Sequence, residues 1–282
     1  AAVKGIKLIG DLPIFVSHDS SDVWANPRLF RLDGEGEPAV MAGVPPDYFS
    51  ETGQLWGNPH YNWEEMKREG YKWWLERVAK LKELVDIIRL DHFRGFESYW
   101  EVPQGAKTAA AGRWVKGPGK DIFLAVKKSL GEVPFIAEDL GIITPEVSRL
   151  KRWCGYPGMQ VLQFLLEEKP MEEYFSPQEE TVFYTGTHDN DTIWSWYEKI
   201  FSRQKAVAGG KEDICRYFIE MAFKSATIAA IIPLQDLLCL GEEGRMNIPG
   251  TVGGNNWRWR FRQGDLQEME EKLYNLTQKY FG

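Results

Sequence analysis

Three carboxylates stand at the ends of apolar runs: Asp91 after "IIRL", Glu138 after "PFIA" and Asp189 after "TVFYTGTH", 47 and 51 residues apart. A charge that ends a buried run carries a desolvation cost unless it is paired or put to use. The first interval fits one βα unit with an extended loop and the second fits two shorter units. All three acids would then face one bowl. Such a set suits glycosidic bond chemistry. In a retaining mechanism one carboxylate attacks the anomeric carbon while a second, about 5 Å away, protonates the leaving oxygen. A third stabilises positive charge developing at the sugar ring. Arg89, two residues before Asp91 and on the same face of an extended strand, would hold Asp91 ionised. Asp139 points away from Glu138 in a regular strand and reads as structural. Any one acid is more often a cap or an ion-pair partner; three at successive strand ends shift that balance.

His92 and His188 each adjoin one of these acids, and His18 and His60 complete the histidines. A metal-dependent hydrolase is the natural rival, because barrel hydrolases place His and Asp at strand ends. The chain has neither H-x-H nor H-E-x-x-H, and its histidines follow no ligand spacing, so no metal is expected. Hydrogen bonds to sugar hydroxyls account for His92 and His188 more simply. His18 and His60 read as structural or peripheral.

The elements that must position these groups follow from the apolar pattern. Strands are expected in "IKLIGDLPIFV", "DIIRLDHF", "PFIAEDLG", "MQVLQF", "TVFYTGTHD" and "IAAIIPLQDLL". Helical spacing marks "WEEMKREGYKWWLERVAKLKELV", "KDIFLAVKKSLG", "TPEVSRLKRWC", "DICRYFIEMAFKSAT" and "DLQEMEEKLYNLTQKYF". Continuous apolar strands alternating with helices indicate α/β architecture with a parallel sheet covered on both faces. No G-x-G-x-x-G or G-x-x-x-x-G-K-[ST] occurs, which removes the nucleotide-binding versions. "VKGPGKDIF" reads as a turn in which Asp121 caps a helix. Polar groups at strand ends (Asp11, Asp91, Glu138, Asp189 and Asp236) favour a (β/α)8 TIM-type barrel over an open sheet. Six units are visible over residues 1–282, taken as one catalytic domain, so the first two are expected to precede Ala1. Residues 20–63, rich in Pro, Gly and aromatics, read as a long loop walling a cleft, with Trp24, Tyr48, Trp56, Tyr61 and Trp63.

Composition sets the outer limits. The 282 residues carry a net charge of −7 with a pI near 5.3, which argues against nucleic acid or an anionic membrane as partner and favours a neutral substrate. No apolar run approaches a membrane span. Cys154, Cys215 and Cys239 have no metal-type spacing and read as reduced thiols of a cytoplasmic protein. Aromatic residues make up 13% of the chain, a supply of flat faces for stacking against sugars.

The motifs "GDLPIFV", "GVPPDYFS", "GQLWGNP", "RLDHFRGF", "IAEDLG" and "GTHDND" occur in this order. Together they resemble the bacterial and plant 4-alpha-glucanotransferases, the amylomaltase or disproportionating-enzyme family related to the alpha-amylases. The likeness runs from about Gly5 to about Arg260. It implies a retaining (β/α)8 barrel in the cytoplasm, or in a plastid if from a plant, working without a cofactor. Such an enzyme moves segments of maltooligosaccharides and α-1,4-glucans onto another glucan or onto glucose, through a covalent glucosyl-enzyme intermediate. By motif, Asp91 would be the nucleophile, Glu138 the acid/base and Asp189 the transition-state stabiliser. Arg89, His92 and His188 would line the subsite of the cleaved glucose, with Asp47, Gln54 and Trp56 in the cleft wall. Asn247 of "RMNIPG" is the least distinctive of these assignments. An alpha-glucan hydrolase of the same fold and a non-catalytic glucan-binding barrel stand as alternatives.

Overall fold

Each of the six apolar runs forms a strand, being too short for a helix and rich in β-branched and aromatic residues. The computed structural model describes residues 1–46, 50–168, 180–200, 209–225 and 227–281. The chain divides after Gly158 into two units. The first contains, in chain order, β1 (Ile9–Leu12), α1 (Ser21–Ala25), β2 (Val40–Val44), β3 (Gln54–Pro59), α2 (Trp63–Arg68), α3 (Lys72–Lys82), β4 (Ile87–Leu90), β5 (Ser98–Pro103), β6 (Arg113–Lys116), α4 (Lys120–Leu130), β7 (Phe135–Ala137) and α5 (Pro145–Cys154). The second contains β8 (Gly158–Val161), α6 (Leu162–Glu168), β9 (Thr181–Tyr184), α7 (Ile193–Ile200), α8 (Lys211–Lys224), β10 (Ala229–Ile231), α9 (Leu234–Leu237) and α10 (Gln263–Phe281).

In the first unit β1, β4 and β7 form a parallel sheet in that order, with Asp11 opposite Arg89 and Leu90 opposite Ala137. Ile88, Leu90, Phe135 and Ala137 are buried in one core with Trp74 and Val78 of α3, Ile122 and Val126 of α4, and Val147 and Leu150 of α5. The helix expected across residues 63–85 is two helices. Gly70 and Tyr71 both take left-handed backbone (φ 65° and 59°), and the Tyr71 amide closes back on the Met66 carbonyl at 2.6 Å. Asp121 is not a cap, as its sequence context indicated. The cap position of α4 falls on Gly119, whose missing side chain bonds nothing. Asp121 lies in the first turn and pairs with Lys67 at 2.6 Å, where a negative charge complements the helix dipole.

Residues 20–63 hold regular structure: α1, a 3-10 turn at Pro27–Leu29, β2 and β3. β2 and β3 join β5 and β6 in an antiparallel sheet of order β3-β2-β5-β6. Tyr61 is a core residue, fully buried, with its hydroxyl donating to the Ile14 carbonyl at 2.5 Å. Trp63 packs against the same core, whereas Trp24 is 85% exposed. Tyr48 lies outside the described residues.

In the second unit the sheet order is β10-β9-β8, with β9 and β10 parallel. Asp236 does not end a strand as its run predicted. The chain turns at Pro233, and Asp236 lies in α9, buried. Its carboxylate accepts from the Ile193 amide at 2.8 Å, at the start of α7, and from the Thr185 hydroxyl at 2.7 Å. Burial pushes its pKa up to about 6 against those two donors. Asp236→Ala orphans the buried Ile193 amide and Thr185 hydroxyl, so it should cost about 2–3 kcal/mol in urea unfolding. A loss within ~0.5 kcal/mol, the range of ordinary surface changes, would refute that role.

The cysteines also depart from expectation. Cys215 on α8 and Cys239, just after α9, form a disulfide, leaving Cys154 as the free thiol. The bond follows from the packing of α8 on α9, which spacing in the sequence does not reveal.

Candidate active site

The first unit assembles its acids at the C-terminal ends of β4 and β7. Arg89 and Asp91 share a face because they are two residues apart on an extended chain. The Arg89 Nη1 reaches Asp91 Oδ1 at 3.0 Å and Asp11 Oδ1 at 2.5 Å. Burial works against the guanidinium charge, but Asp11 and then Asp91 outweigh it and raise its pKa. The ladder continues past the strands. The Asp91 amide donates to Leu12 (3.1 Å) and the Glu138 amide to Leu90 (3.0 Å), which holds both acids level with the sheet end.

Glu138 is held at both oxygens. The His92 amide donates to Oε2 at 2.7 Å and the Leu140 amide to Oε1 at 2.8 Å. The first bond exists because His92 takes left-handed backbone (φ 46°) and starts a 3-10 turn over Phe93–Phe96. Burial, then the negative charge of Asp91, push the Glu138 pKa up to about 7; Arg89 and the two amides only partly oppose this. A carboxyl so poised can give and take a proton near neutrality. Asp139 turns away and pairs with Lys151.

Around this pair lie other residues that the sequence singled out. The His92 ring meets Trp56 edge to face, with centroids 5.1 Å apart. Burial, then Arg94 and His60, push its pKa down to about 3, so it is uncharged at neutral pH. Trp56 on β3 is 38% exposed and donates from Nε1 to Gln54 Oε1 at 3.2 Å. Asp47 lies outside the described residues. His60 is buried, its Nε2 3.1 Å from the carbonyls of both Met41 and Trp100. His18 sits at the surface, Nε2 2.9 Å from the Gly36 carbonyl.

Arg94 is a residue that pattern reading passed over. It is buried, with no carboxylate bonded to it among the described residues. Its guanidinium lies 3.7 Å from the centre of the Trp114 ring, a cation–π contact. It also donates to the Ile142 carbonyl and, at 3.3 Å, to Ser98 Oγ. The turn after Asp91 is thereby tied to the loop after Glu138. The sequence signal was its place inside "HFRGF", next to the acid.

The second unit gathers Asp189, His188 and Asn247. The Asn247 Nδ2 donates to Asp189 Oδ1 at 2.7 Å, and its backbone amide donates to the His188 carbonyl at 3.0 Å. His188 Nε2 lies 3.5 Å from Asp189 Oδ2. Arg245, also passed over, binds three groups of this turn. It reaches the Asp189 carbonyl (2.9 Å), Asp191 Oδ1 (2.7 Å) and the Asn247 carbonyl (2.9 Å). A cavity of about 210 Å³ opens beside it, lined by Thr187, His188, Asp191, Pro233, Asp236 and Arg245 among others. Among the described residues no group of three His, Cys, Asp or Glu side chains is placed to hold a metal ion. No described helix is long and apolar enough to cross a membrane.

Known proteins share this arrangement of elements. The family model described as 4-alpha-glucanotransferase matches residues 1–267. A 4-alpha-glucanotransferase of Thermus thermophilus is 49% identical over 94% of the chain and 56% of its own length. One from Synechocystis is 50% identical over 98% and 57%. The structure of amylomaltase from Streptococcus agalactiae in complex with acarbose superposes with a TM-score of 0.92 at 39% identity, covering 99% of this chain and 58% of that one. The chain thus spans a little more than half the length of the relatives it matches.

Proposed function

Because the chain belongs to the 4-alpha-glucanotransferase family, we propose that it carries the acids of a retaining transfer of 4-α-glucan segments between maltooligosaccharides, with glucose as one acceptor. The reading rests on Glu138, half-buried beside Asp91, gripped by two backbone amides and with its pKa pushed up to about 7. Glu138 protonates the bridging oxygen while Asp91, paired with Arg89, attacks the anomeric carbon. The freed sugar leaves. The deprotonated Glu138 then takes a proton from an incoming sugar hydroxyl, and the bond to Asp91 breaks. Asp189 stabilises the positive charge of each transition state, with its carboxylate aimed by Asn247. Arg89, His92 and His188 grip the glucose that is cleaved, and Asp47, Gln54 and Trp56 belong to the cleft wall. In this reading the strands of the six apolar runs belong to a (β/α)8 barrel. Residues 20–63 wall its cleft, and exclusion of water favours transfer over hydrolysis.

Incubation with maltotriose tests the reading. Transfer yields glucose together with oligosaccharides longer than the starting sugar, whereas a hydrolase only shortens the chains. Products confined to glucose and maltose would replace the transferase with a hydrolase of the same fold.

A further inference from the structure

We infer that Trp257 is a sugar-stacking residue of the Asp189 cluster, an inference that rests on the reading of that cluster as part of a glucan site. Trp257 has φ 61°, left-handed backbone that a bulky side chain rarely adopts. Such strain persists only where the surroundings enforce it, and it gathers at ligand sites. Here the enforcement is visible. The Trp257 amide donates to the Met246 carbonyl at 2.7 Å, fixing it to the loop whose next residue, Asn247, holds Asp189. Its ring lies 5.2 Å from that of His188, the neighbour of Asp189, at a tilt of 39°.

Burial does not explain the strain, since Trp257 is 54% exposed. The other exposed tryptophans differ. Trp114 and Trp153 have a face covered by Arg94 and Lys120 respectively. Trp24, on α1, has regular helical backbone, and Trp56, on β3, is extended. Trp257 combines strained backbone, an exposed ring and a tether to a candidate catalytic acid. A flat, uncharged ring beside hydrogen-bonding side chains is suited to the apolar face of a glucose unit in an α-1,4-glucan. The unit it would hold is the neighbour of the one at Asp189.

The test separates stacking from a structural role through the backbone. Glycine and asparagine accept φ near 60°, so Trp257→Gly and Trp257→Asn remove the ring without adding strain. Both should keep the wild-type melting temperature within a few degrees and weaken maltotriose binding about tenfold in calorimetry. In turnover they should raise KM by a similar factor, with kcat falling less than about threefold. Trp257→Phe, which keeps an aromatic face, should stay within about threefold of wild type in both readouts. Unchanged maltotriose affinity in a folded Gly or Asn variant overturns the inference, as does a Phe variant as weak as those two. Because binding is measured apart from turnover, a wild-type protein that binds maltotriose but forms no longer products would sink the transferase reading and leave the stacking result intact.

Discussion

Asp91→Asn is expected to lower kcat/KM for maltotriose by about 10⁴-fold or more, the scale on which loss of a covalent nucleophile is felt. The substitution keeps shape and volume, and Arg89 retains Asp11 as its partner at 2.5 Å. The Arg89–Asp91 pair is part-exposed on the Asp91 side, so its loss should cost at most about 1 kcal/mol of stability. A folded, stable, nearly inactive protein is therefore the predicted result. A second readout follows from the charges. Asp91 is the main charge that raises Glu138, so an Asn at position 91 should move the carboxyl titration of Glu138 to lower pH, seen by carbon NMR. Wild-type turnover in a folded variant would remove Asp91 from the mechanism.

Glu138→Gln should cost about 10²–10⁴-fold with maltotriose, the usual range for a general acid. A glucosyl fluoride donor, whose leaving group needs no proton, should recover the first step. The wild-type kcat/KM should fall as pH rises through about 7, where Glu138 loses its proton. The variant should lack that alkaline limb. Stability carries the same sign. A carboxyl whose pKa is raised on folding contributes most below its unfolded value, near 4.5, and loses that contribution as pH rises through about 7. The melting temperature of Glu138→Gln should thus improve relative to wild type between pH 5 and 8. A difference that stays constant with pH would place the Glu138 pKa near that of an ordinary carboxyl.

The strands that carry Asp91 and Glu138 were the easiest part to read, for a physical reason. Runs such as "DIIRL" and "PFIA" are buried on both faces, so nearly every residue announces the strand. The Arg89–Asp91 relation needs only the two-residue repeat of extended chain. The antiparallel sheet was hidden because "QLWGNP" and "RWVK" carry glycine, proline and charge, and because β2 meets its partner β5 only through pairing distant in sequence. The split at Gly70–Tyr71 and the turn at Pro233 that places Asp236 in α9 rest on a glycine and a proline lying inside otherwise continuous apolar patterns. Arg94, Arg245 and Trp257 had no periodicity to betray them. Each is defined by partners that only the folded chain supplies: a tryptophan face, a turn of carbonyls and a histidine ring.

The pairing of Asp11 with Arg89 across β1 and β4 also bears on how the chain finds its register. A slip of one residue would leave the hydrogen-bonded ladder intact while turning Asp11 to the opposite face of the sheet. Arg89 would then have one acid fewer; because Asp11 is about half exposed, the loss would be at most about 1 kcal/mol. The misaligned sheet is thus penalised at the residue that steadies Asp91. Pairing of Asp91 with Arg89 and discrimination against misregistered strands fall on the same three side chains, and a chain that folds with Arg89 satisfied has already aligned the strand ends from which its acids project.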